Sequence, residues 1–144
     1  MSAVMKESPE VRIAAGPASK QSWCACAPGM QIKVLSVDLA RNSVEAVIRM
    51  EPGCNTGKHR HTCETYAYVL EGRLVNETAG CEFGPGDFCY QAENDTHVEV
   101  AGAEGATVYL SYRGNRDELV EFYGEDGKVA ATFGVADFAS MMSL

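Results

Sequence analysis

The feature that most constrains this sequence is a succession of short β-favouring runs, each closed by turn-forming residues, from Trp23 to Phe133. In residues 43–51, apolar side chains alternate with polar and charged ones, as in a strand with one buried face. Pro52-Gly53 ends that run with a predicted turn. Many short strands with regular turns are typical of antiparallel sandwiches and barrels. The sequence therefore predicts an all-β barrel, with helical spacing confined to residues 135–142.

The remaining strands are predicted from the same pattern. They are residues 31–38, 65–70, 73–77, 88–91, 97–100, 107–112, 118–123 and 128–133, with a turn at Glu71-Gly72. A chain of 144 residues fits one domain and is long enough to bury a core. We predict an N-terminal arm over residues 1–20 and one domain over residues 21–144.

Charge and composition exclude several partners. The net charge is −8, from 20 acidic and 12 basic residues, so a nucleic-acid or anionic-membrane surface is not expected. No apolar run is long enough to span a membrane, and residues 1–20 contain no signal-peptide core. We therefore expect a cytoplasmic protein, whose six cysteines are mainly reduced, buried small side chains.

The chain contains three histidines, and two of them are candidates for one metal site. In a strand, His59 and His61 point to the same face and can converge on one ion. An antiparallel neighbour could bring His97 to the same place. Neutral imidazole suits zinc, copper, iron and nickel. The alternative is that His59 and His61 are solvated loop residues.

Two longer segments carry a resemblance to a known family. Residues 53–72 combine a glycine, the His59-Arg60-His61 triplet and a closing glycine, and residues 80–97 combine Pro85-Gly86-Asp87 with His97. In this order and spacing, they resemble the two motifs of the cupins. The resemblance implies a jelly-roll β-barrel that holds one divalent metal ion inside, with the three histidines as ligands.

The resemblance breaks at the position of the usual cupin acid ligand. Thr65 stands there, and the neighbouring Glu64 should point away because successive strand residues alternate. A bulge that turns Glu64 inward is the alternative. We therefore expect a three-histidine site with coordination positions left open.

Within the cupins, His59-Arg-His-Thr, Ala67-Tyr68 and Gly72-Arg73 are similar to one group. It comprises acetylacetone-cleaving and 2,4'-dihydroxyacetophenone dioxygenases and the cupin domain of ChrR-type anti-sigma factors. The resemblance to the dioxygenases implies Fe(II), O₂ and cleavage of a carbon–carbon bond in a small ketone, diketone or hydroxyaryl ketone. Those enzymes often carry an acid six residues before the last histidine, where this chain has Gln91.

Strand parity also predicts the wall of the substrate pocket. The candidates are Met50, Cys63, Thr65, Ala67, Cys89 and Gln91. Cys63 is interpreted as a small wall residue, with a thiolate ligand as the alternative.

Two other functions are compatible with the same residues, and the chain is expected to form a homo-oligomer. The pocket could catalyse a non-oxidative lyase or isomerase step with Zn, Mn or Ni, or the chain could be a non-catalytic metal-binding sensor. We also expect a homodimer or homotetramer, because exposed apolar patches usually meet a partner. The residues that suggest such patches are Val47, Tyr66, Tyr68, Phe138, Met141 and Met142.

Overall fold

The computed structural model describes residues 21–142, most of which form strands. The predicted N-terminal arm, residues 1–20, lies outside the described residues. The strands are β1 Cys24–Ala27, β2 Met30–Asp38, β3 Ser43–Met50, β4 His59–His61, β5 Glu64–Asn76, β6 Cys81–Phe83, β7 Phe88–Gln91, β8 Thr96–His97, β9 Glu99–Arg113, β10 Glu118–Tyr123 and β11 Val129–Gly134. One short helix follows, α1 Val135–Ser140.

The strands form two antiparallel sheets. The larger sheet has the order β1-β2-β3-β9-β5-β6, with β7 also paired to β5, and the smaller sheet has the order β11-β10-β4-β8. This arrangement confirms the prediction of an all-β fold with a short C-terminal helix. Side chains from both sheets line a common cavity, which places the core between them. Within residues 21–142, no helix is long and apolar enough to span a bilayer.

The predicted turn at Glu71-Gly72 is wrong. Strand β5 runs through both residues without ending, and its pairing with β9 is irregular on either side of Gly72. Gly72 has φ of +75°, and a Cβ atom there would collide with the carbonyl oxygen of Gly105. The glycine therefore marks a bulge where two strand backbones approach closely, not a turn. Residues 107–112 likewise belong to one long strand, β9.

The aromatic residues near the C-terminus are placed differently from the expectation. Phe138 is buried, with its ring 5.4 Å from Tyr112 and 6.2 Å from Phe133, so it is not part of an exposed patch. Tyr68 is exposed on β5, as expected, and its direct strand partner Phe88 on β7 is exposed as well. The homo-oligomer stays a prediction.

Candidate metal centre

The smaller sheet brings the three histidines together. Strand β4 carries His59 and His61 on one face, and β8 carries His97 directly opposite His59 in the register. The ring centroids are 4.5 Å apart for His59 and His97, and 5.0 Å for each of the other two pairs. One nitrogen from each ring lies within 4.8 Å of those of the other two. The histidines are therefore one buried cluster and not solvated loop residues.

Hydrogen bonds orient two of these rings. Nδ1 of His59 lies 3.0 Å from the carbonyl oxygen of Gly57, which can only accept, so this nitrogen carries the proton. Nδ1 of His61 lies 2.9 Å from the hydroxyl oxygen of Thr65. When a backbone carbonyl or a hydroxyl bonds Nδ1, the lone pair of Nε2 is left free to bind a metal. This is the arrangement typical of metal-ligating histidines. Thr65 thus occupies the position of the usual acid and orients a histidine instead.

The unpartnered nitrogens fit a bound cation. Within the described residues, Nε2 of His61 and both ring nitrogens of His97 are buried without a hydrogen-bond partner. Leaving a buried polar atom unpaired costs about 1–3 kcal/mol, so a cluster of such atoms requires an explanation. Neutral imidazole nitrogens converging from two strands are a suitable ligand set for one divalent transition-metal ion.

The structure adds an acid that the sequence analysis missed. Glu99 is buried, and its Oε1 lies 3.6 Å from Nε2 of His59 and 3.5 Å from Nε2 of His97. The cluster that could hold a metal therefore consists of the three histidines, as expected, with a buried carboxylate beside two of them. The sequence offered only a weak signal, because Glu99 is two residues after His97 in the predicted strand 97–100, whereas the structure ends β8 at His97 and begins β9 at Glu99.

Burial and neighbouring charges shift the pKa values of these groups in different directions. Burial and then repulsion by His59 and His97 lower the pKa of His61 to about 3. Burial also works against protonation of His97, but its contacts with Glu99 and then Asp95 outweigh burial and raise the pKa of His97. For Glu99, burial opposes ionisation, yet contacts with His59 and His97 outweigh it and hold its pKa far below the usual range. The site thus contains a neutral imidazole opposite a buried carboxylate.

A small apolar cavity of about 60 Å³ adjoins the histidines. Of the predicted wall residues, Met50, Ala67 and Gln91 line it. Cys63, Thr65 and Cys89 are buried but are not part of its lining. Most of the remaining lining is apolar or aromatic, and consists of Met30, Ile48, Leu74, Val108, Leu110, Tyr112, Val120 and Phe122.

The two residues considered as alternative ligands point elsewhere. The Cys63 thiol donates to the carbonyl oxygen of Leu119 at 3.4 Å, and burial raises its pKa, which keeps the proton on sulfur. Glu64 is exposed and accepts a hydrogen bond of 2.8 Å from the Tyr90 hydroxyl. The outward direction of Glu64 is as strand alternation predicted.

The sequence of residues 13–115 matches the family described as the ChrR Cupin-like domain. The chain belongs to the ChrR cupin-like family. No curated protein sequence is significantly similar to this cupin.

Solved structures of other cupins share its fold. An RmlC-like cupin from Ralstonia eutropha JMP134 is 18% identical, with a TM-score of 0.77 over 89% of this chain and 84% of the other. An acetylacetone dioxygenase from Acinetobacter johnsonii is 15% identical, with a TM-score of 0.68 over 90% and 83%. The polyketide cyclase RemF from Streptomyces resistomycificus is 19% identical, with a TM-score of 0.59 over 86% of each chain. At these identities, the likeness shows the cupin fold.

Proposed function

We propose that this cupin binds one divalent ion, preferentially Fe(II), at His59, His61 and His97, and cleaves a carbon–carbon bond in a small ketone with O₂. The observation that carries the proposal is the convergence of three buried imidazoles beside an apolar cavity. The fold likeness to the Acinetobacter johnsonii acetylacetone dioxygenase supports this choice of reaction. Diketones and hydroxyaryl ketones belong to the same substrate class, because each can form an enolate or phenolate that binds an ion.

The residues of the chain would divide the work. When bound, a ferrous ion supplies Lewis acidity and the electron that O₂ requires. The three imidazoles hold it, and the contacts from Gly57 and Thr65 fix the ring orientations. The apolar lining excludes water from the reacting carbons. Both atoms of O₂ enter the two carbonyl products as the bond breaks, so the reaction consumes no further reductant.

The cavity limits the substrate to a small molecule. Its volume is about 60 Å³. Sites for drug-sized ligands are several times larger, since they usually occupy several hundred cubic ångströms. Met30 and Met50 are unbranched wall residues, and such side chains adapt readily to a ligand. We therefore expect compact substrates to react faster than bulky ones.

The experiment uses protein reconstituted anaerobically with Fe(II). Oxygen uptake should accompany loss of acetylacetone or a hydroxyaryl ketone, and the rate should fall as substituents on the ketone grow. The His97→Ala variant is the control and should not consume oxygen with any substrate. A wild-type protein that binds iron but consumes no oxygen across the panel would contradict the oxidative reaction.

A non-oxidative lyase, isomerase or cyclase reaction is the second candidate. The observation that favours it is the Glu99 carboxylate beside His59 and His97, because paired acidic and basic groups suit proton transfer. The fold likeness to RemF supports a reaction of this kind. Turnover without oxygen by the Zn, Mn or Ni form would favour this candidate. Metal binding without any turnover would favour the sensor function.

A further inference from the structure

The backbone of Glu99 is fixed next to the metal centre. Its N–H donates to the hydroxyl of Thr56 at 3.0 Å, and its carbonyl oxygen accepts from the N–H of Thr56 at 2.9 Å. Since Thr56 lies three residues before His59, the same short segment fixes both Glu99 and the start of β4. These bonds fix the backbone of Glu99 beside the segment that leads to His59.

The distances place one oxygen of Glu99 beside the nitrogens of two of the three histidines. Oε1 is 3.6 Å from Nε2 of His59 and 3.5 Å from Nε2 of His97, longer than a good N–H···O hydrogen bond. Two donor atoms that each lie about 2.1 Å from one ion are separated by roughly 3.0 to 3.4 Å, depending on the angle. The observed separations are close to those of atoms sharing an ion.

The second oxygen of Glu99 is held by Gln91. The side-chain N–H of Gln91 donates to Oε2 at 3.0 Å, and Gln91 is itself buried. This bond directs Oε1 towards the histidines and leaves Oε2 unavailable to them. Gln91 is therefore a positioning residue, acting through Glu99.

The charge of Glu99 is balanced by no permanently charged side chain among the described residues. Among the residues from 21 to 142, its ion-pair contacts are with His59 and His97, and no lysine or arginine is paired with it. A buried carboxylate is retained when it is paired with a cation or coordinates a metal. A divalent ion among the histidines would provide that positive charge.

Glu64, the acid next to Thr65, differs from Glu99 in its position. It lies beside Thr65, the position of the usual cupin acid, but it is exposed and bonded to Tyr90. Glu99 reaches the centre from a different strand, β9. Resting on the metal site of the proposed function, we propose that Glu99 supplies a fourth, carboxylate ligand, replacing from β9 the acid that is missing at Thr65.

The test compares metal binding by three apoproteins: wild type, Glu99→Gln and Glu64→Gln. Each is titrated with Co(II) and Mn(II), with the visible spectrum recorded for Co(II) and free Mn(II) followed by electron paramagnetic resonance. Circular dichroism of each apoprotein verifies the fold. Gln91→Ala is the positioning variant and should weaken binding less than Glu99→Gln does.

We expect Glu99→Gln to weaken Mn(II) binding by about 100-fold or more, and Co(II) less, because Mn(II) prefers oxygen ligands. The Co(II) spectrum should change in Glu99→Gln and stay unchanged in Glu64→Gln. Equal affinities of wild type and Glu99→Gln would overturn the proposal while leaving the three-histidine site intact. A weakened affinity with an unchanged Co(II) spectrum would also overturn it, since Glu99 would then act through charge alone. Absence of metal binding by wild type would overturn the proposed function itself.

Discussion

The two sheets of this barrel contribute different side chains to the buried interior. In the larger sheet, the most deeply buried side chains include Ile32, Val34 and Val69, which are apolar and satisfied by packing alone. In the smaller sheet, β4 and β8 bury His59, His61 and His97, with nitrogens left unpaired among the described residues. The larger sheet therefore supplies most of the apolar core, while the smaller sheet supplies the three histidines. Stability and metal binding should respond separately to changes in the two sheets.

Metal removal should give the largest difference between the sheets. An ion present at about 1,000 times its Kd stabilises the folded state by about 4 kcal/mol, which shifts the Tm by on the order of 10 °C. Because the three histidines lie on β4 and β8, a chelator should increase amide hydrogen exchange there more than in β2 and β3. His97→Ala should show neither shift. Equal changes in exchange in both sheets would contradict this separation.

A glycine substitution should affect the larger sheet alone. In Gly72→Ala the new methyl group would collide with the backbone of Gly105, so we expect a loss of about 3 kcal/mol or more in the free energy of unfolding. Gly80 also has a positive φ but nothing within 4 Å of an added Cβ, so Gly80→Ala should cost about 1 kcal/mol. Urea denaturation measures both. Folded Gly72→Ala should still bind one ion, and a lost metal site would show that the sheets are coupled.

Thr65→Val should weaken metal binding by about 10-fold, because it removes the hydroxyl that orients Nδ1 of His61. Thr62 provides a matched control, since it is buried and its hydroxyl has no partner among the described residues. Thr62→Val should leave the affinity unchanged. Calorimetric titration of both apoproteins with Zn(II) makes the comparison, and equal affinities would show that the Thr65 contact is unimportant.

The smallest expected effect is a difference in imidazole pKa between His61 and His97, both in the smaller sheet of the apoprotein. Because Glu99 raises the pKa of His97 while burial lowers that of His61 to about 3, His97 should protonate at the higher pH. The folded-state pKa of His61 lies below the usual value of about 6.5, so its stabilising contribution is present above pH 6.5 and is lost as the pH falls towards 3. NMR titration of the imidazole resonances measures this order, and the reverse order would contradict it.

The sequence predicted most of the strands and the shared face of His59 and His61 because both follow from local patterns. Alternation in residues 43–51 and the His59-Arg-His61 spacing need no knowledge of distant contacts. The bulge at Gly72 depends on its approach to Gly105, which only the paired strands create. A glycine within a run of apolar residues is equally compatible with a turn and with a bulge.

The lining of the pocket was predicted less well than the strands, because the alternation of side chains was extended across a break between the two sheets. Cys63 shares the parity of His59 and His61, but β4 ends at His61 and β5 begins at Glu64 in the other sheet. Alternation holds only within one strand. Glu99 was missed for the same reason, since β8 ends at His97 and β9 begins at Glu99 in the other sheet.

The pairing of β4 with β8 contains two residue pairs, His59 with His97 and Arg60 with Thr96. Such a short ladder has little resistance to fraying by itself. An ion bound by both His59 and His97 would be a reversible cross-link that closes the long loop between them. A disulfide has the same effect in an oxidising compartment. We expect metal supply to set the proteolytic lifetime of the protein, with the first cleavage of the metal-free form near β8 and the larger sheet still folded.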